Sequence, residues 1–225
     1  MIFSFRRDWP ALVLLAAMYV FAAWAWPRVP AEIPVHWGLD GEPDRWGGRF
    51  EGLFVFPLTT TLVYALMLVL PRFDPGRANY ARFAGVYSLL RGLIVAFFAV
   101  MEAVSVAALL GADVSVGRVS PFLTGVLLAV LGGLMGKLRP NWFVGIRTPW
   151  TLTSKRAWIR THRVGGWGMI ALGVAICAAG AWSSAAAYGV MLAGTLVYTV
   201  AILAYSYAVW RDDPDRQVPG GTTPA

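Results

Sequence analysis

The chain has 225 residues, of which 58% are hydrophobic and 14% charged, and its formal net charge is +7. Because an ordinary soluble domain has roughly a quarter of its residues charged, this composition excludes a conventional soluble protein. The single cysteine, Cys177, excludes a disulfide framework within the chain and a multi-cysteine metal site. The composition instead predicts an all-α, polytopic membrane helix bundle.

Six apolar segments predict six transmembrane helices, because each has about the length that roughly 30 Å of hydrocarbon requires. The segments are residues 9–26, 52–70, 84–110, 120–136, 165–184 and 187–210. The predicted regions are 1–70, with an outer loop at 27–51; 71–211, a four-span domain with a loop at 137–164; and 212–225, a disordered tail.

The basic residues predict the orientation of the bundle. The two termini and the second and fourth loops hold 14 Lys and Arg residues, whereas the first and third loops hold 4. Cytoplasmic loops carry the excess of basic residues, so both termini are predicted to lie in the cytoplasm and the loop at 27–51 outside. The positive charge is thus explained by topology, and no direct nucleic-acid partner is predicted.

The outer loop is rich in turn-forming and aromatic residues. Pro34 and Pro43 fix φ, several glycines permit positive φ, and Trp37 and Trp46 give the loop side chains to pack. We therefore expect a compact, folded loop rather than a flexible linker.

One imidazole and three carboxylates lie in this loop, at His36, Asp40, Glu42 and Asp44. These groups are possible metal ligands, but the loop has a single histidine and no fixed ligand spacing. The pattern favours a hydrogen bond from His36 to a carbonyl or carboxylate, and an Asx turn at Asp40 and Gly41. No metal, cofactor or catalytic residue is predicted, and a metal-dependent hydrolase at His36 is the least favoured alternative.

Glu102 lies near the centre of the third span, where an ionisable side chain is costly and normally faces the bundle interior. Arg91 precedes it by about 16 Å along the helix axis, so the two cannot pair, and Arg91 is expected to extend to the cytoplasmic face. Glu102 is expected to be protonated and hydrogen-bonded. Its candidate partners are Thr59, Thr60, Tyr64, Tyr198 and Thr199. A small proton- or ion-coupled transporter using Glu102 is the alternative function.

Glycines in the fourth and fifth spans are expected to let helices approach closely. They are Gly132, Gly133 and Gly136 in the fourth span and Gly165, Gly166, Gly168 and Gly173 in the fifth.

The fourth loop has no acidic residue between Asn141 and Arg163. Thr153 or Ser154 is expected to cap a short amphipathic helix whose apolar face carries Trp158, Ile159 and His162. Such a helix suits docking on anionic lipid headgroups.

A second interpretation of the same loop is a rigid docking surface for a protein or a phosphate-bearing ligand, and periodicity does not choose between the two. The residues predicted to dock a cytoplasmic partner or lipid are Asn141, Gly145, Arg147, Thr148, Pro149, Trp150, Trp158, His162 and Arg163.

Two motifs resemble known families. The outer-loop motif, Ile33-Pro34-Val35-His36-Trp37 followed by Asp44 and Trp46-Gly47-Gly48-Arg49, is similar to a domain of unknown function in many bacterial membrane proteins. The inner motif, Gly145-Ile146-Arg147-Thr148-Pro149-Trp150-Thr151 followed by Trp158 and Thr161-His162-Arg163, resembles the carboxy-terminal motif of the SdpI family.

The resemblance implies a non-enzymatic protein of the bacterial plasma membrane that confers resistance to a secreted antimicrobial peptide. It also implies that the protein holds a transcriptional repressor at the membrane. The outer-loop residues then expected to recognise the peptide are His36, Trp37, Asp40, Asp44, Trp46 and Arg49.

Overall fold

The computed structural model describes residues 3–216, and six helices in this range are long and apolar enough to span a membrane. The elements in chain order are α1 (Phe5–Ala25), β1 (Glu32–Trp37), β2 (Pro43–Gly48), α2 (Arg49–Val69), α3 (Ala84–Leu109), α4 (Val116–Met135), α5 (Pro149–Thr153), α6 (Lys155–Trp182) and α7 (Ser184–Arg211). Two short 3-10 segments, Leu70–Arg72 and Arg77–Phe83, connect α2 to α3.

The prediction of six spanning helices is confirmed, but the fifth begins earlier than expected. Helix α6 starts at Lys155 instead of residue 165, because the Ser154 hydroxyl accepts a hydrogen bond from the Ala157 amide at 2.8 Å and caps the helix there. The cap was predicted correctly. The separate amphipathic helix was wrong, since its residues form the first turns of the spanning helix.

The helices pack in two groups. Helices α1, α2 and α3 enclose two apolar clusters, and α6 packs against both α4 and α7 in the second group. Helices α4 and α6 approach closely because glycines lie where they meet. A methyl group on Gly132 would lie only 2.5 Å from the Gly166 carbonyl oxygen. Gly125 and Gly173 meet in the same way. Gly133 and Gly136, by contrast, face open space, so the packing role predicted for them was wrong.

The loop between α1 and α2 is an antiparallel β-hairpin. Ile33 of β1 is fully buried and packs with Ala22 and Leu53 of the flanking helices. Val35 and Asp44 have no partner in the strand register, so each strand carries an irregularity. A compact folded loop was predicted, whereas the strands were not, because such a density of Pro and Gly is typical of consecutive turns.

The turn of this hairpin rests on the second helix group. Gly41 has φ +88°, and a methyl group at this position would lie 2.8 Å from the Ser184 Cβ and 3.5 Å from the Gly117 Cα. Gly117 and Ser184 lie at the first turns of α4 and α7. We call this end of the bundle the hairpin face, and the opposite end, with the α2–α3 connection and residues 136–154, the basic face.

A buried ion pair joins α1 to α3 near the basic face. The Arg91 Nη2 group donates to the Asp8 carboxylate at 2.6 Å, and the two side chains are 0% and 1% exposed. Arg91 also donates to the Ser88 hydroxyl at 3.1 Å and lies over the Tyr87 ring. The expectation that Arg91 extends to the cytoplasmic face was therefore wrong. Asp8, which lies just before the predicted first span, holds the guanidinium inside the bundle.

Removing one member of this pair should leave a buried charge without its partner. We expect Arg91→Met to destabilise the protein by about 3–5 kcal/mol. Asp8→Asn/Arg91→Met should recover most of that loss, because asparagine removes the unpaired negative charge. Its side-chain oxygen can still accept the hydrogen bond that the Ser4 amide donates to Asp8. The measurement is thermal unfolding in detergent, with Arg77→Met, an exposed arginine of the same face, as the control. A double variant as unstable as Arg91→Met would contradict this account.

Candidate functional site

Asn141 organises the loop of the basic face. Its side chain is 1% exposed and saturated with backbone partners: the amide donates to the Arg139 and Val144 carbonyls at 2.9 and 3.0 Å. Its oxygen accepts from the Phe143 and Val144 amides at 3.0 and 2.7 Å. The side chain therefore replaces the regular backbone pairing that a loop lacks.

Asp74, in the α2–α3 connection, ties this loop to the first helix group. One carboxylate oxygen accepts from the Tyr80 hydroxyl at 2.8 Å and the Trp142 amide at 3.0 Å, and the other accepts from the Gly76 amide at 2.6 Å. Sequence analysis did not identify Asp74 or Tyr80. The available signal was Asp74-Pro75-Gly76, an arrangement typical of an Asx turn.

His162 closes the loop from the side of α6. Its Nε2 accepts a hydrogen bond from the Ile146 amide at 3.0 Å, and its Nδ1 donates to the Trp158 carbonyl at 2.9 Å. The two bonds together require the tautomer with the proton on Nδ1. The ring also stacks on Trp158, with 4.0 Å between centroids, and Gly145 approaches it with φ +111°.

Several residues predicted to dock a partner or lipid are instead internal to the protein. Asn141, Thr148, Trp158 and His162 are buried, and the Trp158 indole donates to the Leu138 carbonyl at 3.2 Å. Gly145 and Trp150 are half-buried. Of the apolar face expected to meet lipid, Trp158 and His162 are therefore covered by the protein's own chain, whereas Ile159 is 53% exposed. Thr148 forms a capping box with Thr151 at the start of α5.

The exposed part of the loop is smaller than predicted. Arg147, Pro149 and Arg163 reach solvent, as does Trp142, whose side chain is 52% exposed. The Arg147 Nη1 group donates to the Trp142 carbonyl at 2.8 Å, which ties the Arg147 side chain to the backbone of Trp142. Trp142 and Arg147 form what we call the loop surface.

The segment after α7 folds back onto the start of α6. The Ser154 hydroxyl donates to the buried carboxylate of Asp213, and this hydrogen bond lowers the pKa of Asp213 below its usual range. The predicted disordered tail was therefore wrong for residues 212–216, because Ser154 gives Asp213 a fixed partner. The rest of that prediction, residues 217–225, lies outside the described residues.

On the hairpin face, His36 and Asp44 form an exposed pair. The His36 Nδ1 group donates to the Asp44 carboxylate at 2.6 Å, and the Asp40 carboxylate accepts from the Glu42 amide at 3.0 Å. The predicted hydrogen bond of His36 and the Asx turn of Asp40 are both confirmed. Trp46, 54% exposed, lies on the strand that carries Asp44.

Two predicted recognition residues, Trp37 and Arg49, are only partly exposed. The Arg49 Nε group donates to the Val29 and Pro30 carbonyls, both at 3.0 Å, and so fixes the base of the hairpin. Trp37 is half-buried. In the part of the chain that the structure describes, no group of three or more His, Cys, Asp or Glu side chains is arranged to hold a metal ion.

Glu102 is 1% exposed on α3, on the face that also carries Val95 and Val106 and packs against α1 and α2. Its Oε1 atom has no hydrogen-bond partner within residues 3–216. The predicted partners were wrong. The hydroxyls of Thr60, Tyr198 and Thr199 donate to backbone carbonyls, Thr59 is exposed, and the Tyr64 ring lies by Arg91.

Two regions of the chain match known protein families. Residues 137–206 match the SdpI/YfhL protein family, and residues 13–61 match DUF1648, a domain of unknown function. The chain therefore has one region similar to DUF1648 and, after it, one region similar to the SdpI/YfhL family. The hairpin lies in the DUF1648 match, whereas the loop surface and α6 lie in the SdpI/YfhL match, so the resemblance seen in both motifs is confirmed.

Two relatives extend this comparison. Over 153 residues the chain is 19% identical to the immunity protein SdpI of Bacillus subtilis strain 168, an alignment that covers 68% of this chain and 71% of that protein. Over 61 residues it is 30% identical to an uncharacterized protein of Archaeoglobus fulgidus, covering 27% of this chain and only 33% of that protein. No solved structure gives a significant match.

The SdpI/YfhL match and the six spanning helices together make this chain a multi-pass protein of the bacterial cell membrane. The SdpI/YfhL family is not a known enzyme family. The immunity function of the Bacillus relative is a property of that protein.

Gly145 gives a test of the loop's architecture. We expect Gly145→Ala to open the loop, because its φ of +111° is unfavourable for alanine and a methyl group would meet the His162 ring. Limited trypsin cleavage after Arg147 should become several times faster. Gly133→Ala, where a methyl group meets open space, is the control and should leave the rate unchanged. Equal cleavage rates in the two variants would show that the loop does not depend on this contact.

Proposed function

We propose that this protein is a non-enzymatic immunity receptor that binds a secreted antimicrobial peptide on the hairpin face and a transcriptional repressor on the basic face. The observation that carries the proposal is the contact between Gly41 in the hairpin turn and Ser184, the first residue of α7. We call this contact the seat of the hairpin turn. It places the DUF1648 region in direct contact with the SdpI/YfhL region.

The hairpin offers a surface suited to a peptide. His36, Asp44 and Trp46 are exposed together, and Leu39 at the turn is 61% exposed. Tryptophan is among the residues that contribute most to binding interfaces, and charged groups around it supply orientation and partner choice. The carboxylates of Asp40, Glu42 and Asp44 favour a peptide with basic groups.

Helix α7 connects the two faces. It begins at the seat of the hairpin turn, and near its other end Tyr207 contacts Trp150 of the basic-face loop, with 5.3 Å between ring centroids. The Tyr198 hydroxyl donates to the Gly165 carbonyl at 3.1 Å and ties α7 to α6 between these points. A displacement of the hairpin on peptide binding can therefore reach, through α7, the basic-face loop that carries the loop surface.

The alternative of a coupled transporter has less support. Glu102 is a buried acid with one oxygen that lacks a partner among the described residues, which favours some role for its proton. However, a relay needs more than one exchangeable group, and Asp8, a second buried acid of this helix group, is bound to Arg91.

The peptide-binding part of the proposal is tested by expression in a sensitive bacterium challenged with candidate antimicrobial peptides. We expect His36→Ala, Asp44→Ala and Trp46→Ala each to lower the tolerated peptide concentration severalfold at unchanged protein abundance, because each removes an exposed group of the hairpin surface. Arg118→Ala, an exposed change at the start of α4, should have no effect. Full protection in all three hairpin variants would show that this surface does not recognise the peptide.

The repressor-binding part depends on guanidinium geometry at Arg147. Lysine cannot reproduce the planar fork of arginine, so Arg147→Lys should reduce repressor capture severalfold while membrane insertion stays normal. Arg156→Lys keeps the positive charge at a position outside the loop surface and should leave repressor capture unchanged. The readout is a transcriptional reporter together with membrane abundance. Equal, small effects of the two changes would mean that the loop acts only as an electrostatic anchor.

A further inference from the structure

A cleft of about 600 Å³ opens on the basic face between the α2–α3 connection, the end of α4 and the start of α6. Its walls are fixed by hydrogen bonds between elements. The Asn79 amide donates to the Pro140 carbonyl at 2.8 Å, and the buried Trp158 indole donates to the Leu138 carbonyl. The cleft is therefore built by three segments of the chain rather than being a gap beside a mobile loop.

Three basic side chains, Arg82, Arg139 and Lys155, line this cleft, against the single carboxylate of Asp215. Within residues 3–216, none of the three lies within 4.0 Å of a carboxylate oxygen. A second cavity of about 410 Å³, lined by Lys155, Arg156 and Arg160 and also by the carboxylates of Asp213 and Asp215, continues along α6. The first cleft thus has three basic groups against one carboxylate, so its lining carries an excess of positive charge.

The position of the cleft indicates that the anion it binds belongs to a lipid. It lies where three spanning segments end, which is the level at which lipid headgroups meet a membrane protein. Ile159, 53% exposed, borders both cavities and offers apolar surface beside the cations. A basic pocket between helix ends with an apolar rim matches an anionic phospholipid, whose phosphate binds the cations while its chains remain in the bilayer.

We propose that the cleft formed by Arg82, Arg139 and Lys155 is a binding site for the phosphate headgroup of an anionic phospholipid. The site is separate from the loop surface, because neither Trp142 nor Arg147 lines it. It replaces the lipid contact predicted for Trp158 and His162, which the structure buries. The proposal does not rest on the immunity function.

The test measures lipid retained by the purified protein in native mass spectrometry, and its thermal midpoint, with phosphatidylglycerol and with phosphatidylcholine. We expect selective retention of phosphatidylglycerol and a higher midpoint with it. Arg139→Gln/Lys155→Gln should weaken retention by about tenfold or more. Arg72→Gln/Arg77→Gln removes two exposed charges from the same face outside the cleft and should retain the lipid as the unaltered protein does.

Two results would overturn the proposal. Equal loss of phosphatidylglycerol in both double variants would show a diffuse effect of charge rather than a site. Binding of glycerol 3-phosphate to the protein in phosphatidylcholine nanodiscs, with the same dependence on Arg139 and Lys155, would assign the cleft to a soluble phosphate ester. Since the altered side chains are exposed, both double variants should unfold at the same temperature without lipid. If the cleft variant alone unfolds earlier, Arg82→Gln repeats the comparison from the opposite wall.

Discussion

The seat of the hairpin turn on the second helix group is the contact on which the arrangement of the two matched regions depends. The Gly41 backbone lies against Gly117 and Ser184, and a side chain at either glycine would force the neighbouring segments to shift apart. Gly41 also needs the positive φ that glycine adopts without strain. The hairpin is therefore a fixed part of the bundle. A ligand that displaces it acts directly on the first turns of α4 and α7.

The basic face is held by buried polar side chains, because irregular backbone near hydrocarbon must find its hydrogen bonds within the protein. Asn141, Asp74 and His162 supply those bonds from three different segments. These bonds leave Trp142 and Arg147 presented on a rigid loop and leave the neighbouring cations around a cleft. The two contacts proposed above, with a repressor and with lipid, therefore use separate parts of one architecture.

Sequence reasoning succeeded where the signal is local. The six spans follow from the length of apolar runs, the cap at Ser154 from its position before Lys155, and the hydrogen bond of His36 from carboxylates a few residues away. It failed where partners are distant: Asp8 and Arg91 are 83 residues apart. An amphipathic pattern shows that Trp158 and His162 share a face, but it does not show whether lipid or protein covers that face.

The central claim, that the hairpin is seated on the SdpI/YfhL region, is tested most directly by cross-linking in a Cys177→Ala background. Gly41→Cys/Ser184→Cys should form a disulfide in intact membranes, because the two Cβ positions lie 2.8 Å apart and a shift of about 1 Å gives the roughly 3.8 Å separation of a disulfide. Gly48→Cys/Ser184→Cys, with position 48 in open space, should not. Free thiols at both 41 and 184 under oxidising conditions, in protein of normal abundance, would show that the hairpin does not contact this region.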